Sequence, residues 1–80
     1  MRKVAVAEDF LRNMGLRTVR VRFHNDVARL ELGEEDYRRV VHELREYLVK
    51  KVKEAGFAYV ALDLQGYQVG SMNEVLDKAV

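Results

Sequence analysis

Between Thr18 and Leu32 apolar and polar residues alternate in two runs that meet at Asn25-Asp26. Period-two alternation on both sides of a dipeptide that tolerates positive φ predicts a two-residue β-hairpin. Pairing residue 24 with 27 sets Phe23 opposite Ala28, Val21 opposite Leu30 and Val19 opposite Leu32, so the apolar sets of both strands share one face. A slip of one residue would send one set to the opposite face, which fixes the register. The other face carries Thr18, Arg20, Arg22 and His24 on the first strand and Val27, Arg29 and Glu31 on the second. Arg20 then faces Glu31, whereas Arg22 stands directly against Arg29.

Upstream, Val4, Ala7, Leu11 and Met14, with Phe10 beside them, recur at helical spacing and predict a first helix over Lys3 to Met14. Gly15 suits the left-handed position just past its end, and Leu16 can then fold back on Leu11. Gly33 to Ala55 predicts one long helix of roughly 33 Å. Its apolar stripe is Tyr37, Val41, Leu44, Leu48, Val52 and Ala55, widened by Val40 and Tyr47. Glu34, Glu35 and Asp36 lie at the positive end of its dipole and Lys50, Lys51 and Lys53 at the negative end, a pattern of solvated faces.

Gly56 and Phe57 end the long helix as Gly15 and Leu16 end the first. Val60, Leu62 and Leu64 then follow Val19, Val21 and Phe23 at a constant offset of 41 residues, so a helix-glycine-strand unit occurs twice. The outward positions of the second copy are Tyr59, Ala61, Asp63 and Gln65, so the basic character belongs to the first strand only. The expected fold is a single α/β (α+β) domain over residues 1–80, an αββαβ two-layer sandwich. Its three-stranded mixed sheet carries both helices on one face, and a right-handed crossover runs the third strand parallel to the second. Near the end, Ser71-Met72-Asn73-Glu74 reads as a capping box that starts a short C-terminal helix, Met72 to about Lys78. Tyr67-Gln68-Val69, between Gly66 and Gly70, reads as a turn or an added edge strand.

Composition narrows the function. Eighty residues, 49% of them hydrophobic, can bury about 60 to 65% of the unfolded surface, and the sheet leaves open edges, so a homo-oligomer is expected. A net charge of +1 argues against nucleic-acid binding through bulk electrostatics. The chain has no cysteine, which excludes disulfides, thiolate metal sites and a cysteine nucleophile within it, and a cytoplasmic setting follows as the natural expectation. Its longest apolar runs are too short to cross a membrane. No metal-ligand spacing, phosphate-cradling glycine loop or catalytic carboxylate pair is present, so neither metal nor cofactor is expected.

What chemistry remains is cationic. Arg22 against Arg29, with Arg20 and His24 on the same face, costs stability unless an anion lies between them. Either Glu31 and Asp63 neutralise the cluster internally, or it holds a phosphate or carboxylate, for which the planar guanidinium fork is suited. Ser71 at a helix N-terminus adds a second candidate for anion contact, although capping alone accounts for it. His24 and His42 have no nucleophile beside them.

AEDFLRNMG, VRVRFHNDVARLEL, AGFAYVALDLQGY and VGSMNEVL, in that order, resemble the C-terminal domain of the ATP-dependent sacrificial sulfur transferases that assemble the nickel-pincer nucleotide cofactor. The likeness covers nearly the whole chain. In that family an N-terminal PP-loop ATPase domain adenylates a substrate carboxylate, and sulfur comes from the enzyme's own cysteine. Neither the phosphate loop nor the cysteine is in this chain, so the resemblance implies no activity on its own. It implies instead a phosphate-binding role for Arg20 and Arg22, a turn at His24-Asn25 where the family has His-Gly, and oligomerisation. Two functions follow. One is an accessory module that binds a phosphate-bearing small molecule or a PP-loop ATPase partner in trans; the other is a structural homo-oligomerisation module with no ligand of its own.

Overall fold

The computed structural model describes residues 2–67. It contains α1 (Arg2–Asn13), β1 (Val19–His24), β2 (Val27–Leu32), α2 (Glu34–Arg39), a π-helical segment (Val40–Leu44), α3 (Arg45–Glu54) and β3 (Tyr59–Leu62). The strands form one sheet in the order β1-β2-β3. β1 and β2 pair antiparallel in the expected register, Val19 with Leu32 through His24 with Val27. β2 and β3 pair parallel, Ala28 with Val60 and Leu30 with Leu62. Asn25 takes a φ of 53° in the hairpin turn, the left-handed conformation that Asn accepts at small cost.

One face of the sheet packs under the helices. Val19, Val21, Ala28, Leu30 and Leu32 meet Ala7 and Leu11 of α1 and Val40, Leu48 and Val52 of the helices after β2. Both helix ends close as glycine caps. Gly15 and Gly56 have φ of 94° and 117°; the Leu16 amide donates to the Leu11 carbonyl and the Gly15 amide to that of Arg12, the paired bonds of a Schellman ending. Leu16 and Phe57, the residues after the two glycines, are both buried in the core.

Four expectations need correction. The long helix is not continuously α-helical. Val40, Leu44, Leu48 and Val52 turn toward the core at successive spacings of four. An α-helix of 3.6 residues per turn would carry that row steadily off the core, and the wider turn of the π segment brings it back. Val41 and Tyr47 are thereby left outside, 42% and 52% exposed. Phe23 is 46% exposed, because its cross-strand neighbour Ala28 is too small to cover it. Leu64 lies past the end of β3 and is 84% exposed, so the third apolar position of both repeats falls outside the core. Asp36, read as a solvated first-turn charge, is buried: its Oδ2 accepts the amides of Arg17 at 2.9 Å and Thr18 at 2.7 Å. The expected C-terminal helix and Ser71 lie outside the described residues.

Candidate anion-binding site

Strand alternation settles which side chains share the outer face. With Val19 and Val21 buried, Arg20, Arg22 and His24 must point away from the helices, and all three are exposed. Arg29 and Glu31 join them from β2, and Asp63 from the chain just past β3.

The cross-strand opposition of Arg22 and Arg29 is relieved by two carboxylates. Nη1 of Arg29 donates to Oδ2 of Asp63 at 2.5 Å and to Oε2 of Glu31 at 3.2 Å. Nε of Arg22 lies 3.7 Å from the same Glu31 oxygen. Glu31 therefore bridges the two guanidiniums and does not pair with Arg20, its direct cross-strand neighbour. Asp63 is held further by the Gln65 amide, which donates to its Oδ1 at 2.9 Å. That backbone bond, with the Arg29 guanidinium adding to it, outweighs the opposing effect of burial and keeps its carboxyl below the usual range. Two cations and two anions make this part of the face internally balanced.

Arg20 is arranged differently. Its guanidinium lies over the ring of Tyr67, 5.2 Å from the centroid. Tyr67 is fixed in turn, its amide donating to the Leu32 carbonyl at 2.8 Å. Gly66 makes this possible, since a Cβ there would come within 2.6 Å of the Leu32 carbonyl oxygen, and its φ is 75°. A guanidinium held over an aromatic ring by its charge leaves N–H groups available for other acceptors. Of the residues singled out in the sequence, the structure thus places Arg20, Arg22, Arg29 and His24 on one face, joins Arg22 and Arg29 through Glu31, and sets Arg20 apart beside Tyr67. Tyr67 carried no sequence signal as a site residue. The turn that Gly66 permits is what brings it to β1.

Among the described residues no group of His, Asp and Glu has the clustering to hold a metal ion, and no helix is long and apolar enough to cross a membrane.

No family model matches the chain. It is 43% identical to a pyridinium-3,5-bisthiocarboxylic acid mononucleotide synthase from Lactiplantibacillus plantarum, over 96% of this chain and 28% of that protein. It is similar to one part of a longer synthase. Proteins from Synechocystis sp. and Methanocaldococcus jannaschii are 42% and 34% identical over 98% and 85% of the chain, which again corresponds to only 30% and 26% of their lengths. The chain spans less than a third of each relative it matches. These similarities agree, at the level of a partial match, with the resemblance that the sequence motifs carry.

Proposed function

We propose that this chain is a non-catalytic anion-binding module, the counterpart of one part of a pyridinium-3,5-bisthiocarboxylic acid mononucleotide synthase. It serves a separate PP-loop ATPase domain by holding a phosphate group of substrate or nucleotide. The observation that carries the reading is the outer face of β1, where packing requires no arginine and yet two project, with Arg20 outside the carboxylate network that balances Arg22 and Arg29. The similarity over nearly the whole chain to part of that synthase supplies the context. Arginines on an open sheet bind and orient anions but supply neither nucleophile nor general base, so the module binds without turning over.

An open face removes little water from its ligand, which places affinity in the millimolar range. Titration of pyrophosphate, AMP and ATP into the wild type and Arg20→Ala, followed by NMR, is expected to show saturable binding that weakens in the variant. An ATP-cleavage assay on the same protein is expected to give none. Turnover of ATP, or binding indifferent to Arg20, would overthrow the reading.

A further inference from the structure

A hollow of about 300 Å³ opens at the edge of β1 away from β2, an edge with no strand partner among the described residues, between the C-terminal half of α1 and Tyr67. Three arginines line it, Arg12 on α1, Arg17 in the connection and Arg20 on β1, with Thr18 and Glu8 beside them. Among the described residues Glu8 is the one carboxylate in the lining, and it is committed: Oε2 accepts the Val21 amide at 3.0 Å while Oε1 lies 3.7 Å from Arg12. Arg12 has a second, looser carboxylate neighbour in exposed Asp9 at 3.9 Å. Among the described residues neither Arg17 nor Arg20 forms an ion pair. Among the described residues, three cations and one anion leave the hollow about two positive charges in excess, unlike the balanced Arg22/Arg29 patch on the same sheet.

We propose that this hollow is a phosphoryl site, in which Arg12, Arg17 and Arg20 hold the dianionic phosphate of a phosphomonoester or of free phosphate. The proposal rests on the reading of the chain as an anion-binding module and relocates its site from the Arg22/Arg29 patch to the edge of β1. Tyr67 pre-orients Arg20 from one side, so its donors are in place before the anion arrives. Strand alternation also directs the Val19 N–H to the same edge as the Val21 N–H, and Val19 lines the hollow. A tetrahedral dianion with several oxygens matches donors that converge from a helix, a connection and a strand edge. Arg22 is left with Glu31 and contributes little.

The test is an NMR titration of the full chain with inorganic phosphate and separately with AMP, in wild type, Arg12→Ala, Arg17→Ala, Arg17→Lys, Arg20→Ala and Arg22→Ala. Saturable shifts are expected at Val19, Arg20 and Tyr67. Arg12→Ala and Arg17→Ala each weaken binding by about five- to tenfold, the loss of one charge-assisted contact in a partly hydrated site. Arg17→Lys restores part of that loss, and Arg22→Ala changes affinity less than about twofold. Arg17 is exposed and makes no side-chain bond among the described residues, so its variants keep the fold and their spectra report binding alone. Binding of both ligands marks recognition of the phosphoryl group wherever it is carried; binding of phosphate alone marks free anion as the source, and both support the site. Saturable shifts centred on Arg22, Arg29 and His24, weakened by Arg20→Ala but unaffected by Arg12→Ala or Arg17→Ala, would overturn the relocation and leave the module reading standing. The absence of any saturable shift would overturn both.

Discussion

At the scale of single residues, Asp63 ties the end of β3 to β2 through Arg29 and fixes its own turn through the Gln65 amide. A carboxyl held below its usual value of 3.8 stabilises the fold fully above that value, and the contribution disappears as pH falls through the depressed folded pKa. Asp63→Asn keeps an acceptor for Gln65 but loses the charge opposite Arg29. Urea midpoints are therefore expected to separate wild type from variant at about pH 7 and to converge as pH falls below the carboxylate range. A gap of constant size would show that the charge contributes nothing. Gly66 offers a second test. A Cβ there meets backbone at 2.6 Å in a positive-φ residue, so Gly66→Ala is expected to cost about 1–3 kcal/mol and to unseat Tyr67 from Arg20. Sequence alone marked Gly66 as turn punctuation. The collision with Leu32 that makes glycine obligatory arises from a contact between residues distant in the chain. Likewise, the face shared by Arg20, Arg22 and Arg29 was legible because it follows from alternation. The choice of carboxylate for each guanidinium depends on side-chain conformations, which a register does not specify.

At the scale of elements, the hairpin could be read in full because its turn is two residues long and only one register buries both apolar sets. The long helix could not. Its apolar residues admit more than one inward row, and only packing against the sheet selects Val40 over Val41 and inserts the π turn. A π segment is in effect one extra residue in an α-helix. Deleting Val41 is thus expected to restore an α-helix with Tyr37 and Leu48 still inward and to change stability by no more than about 1 kcal/mol. Deleting Val49 from α3 instead would rotate Val52 and Ala55 by roughly 100° off the core, and that variant is expected to unfold. Equal effects of the two deletions in thermal melts would contradict this account. The same helix carries Asp36, whose carboxylate replaces strand partners for two amides at the entry to β1. Asp36→Ala leaves both without their acceptor and is expected to cost about 2–3 kcal/mol, with Asp36→Asn costing less.

At the scale of the whole molecule, the two edges of the sheet differ. On β1 the Glu8 carboxylate takes the Val21 amide, a local way of blunting a strand edge. Along β3 lies a mainly apolar groove of about 420 Å³, with Val41, Leu48, Val49 and one charged residue, Arg45, on the helical side and Val60 and Leu62 on the strand. Parallel pairing directs the Tyr59 and Asp63 amides toward β2, where they reach Asp26 and Leu30; alternation then turns the Val60 and Leu62 amides outward. A second copy placed antiparallel about Ala61 would set each Val60 opposite the other copy's Leu62, exchanging backbone hydrogen bonds and bringing two grooves together. The self-pairing expected from the sequence would use this edge. Light scattering over a concentration series is expected to give a mass rising above the 9.3 kDa of one chain toward twice that value. Val41→Glu puts a charge into the groove at an exposed position that the core does not need, so it is expected to hold the mass at one chain without loss of thermal stability. Because the contact is apolar, raising salt should leave the wild-type association intact. A wild-type mass of 9.3 kDa at every concentration would exclude this pairing, and a rise abolished by salt would assign the association to the arginine face instead.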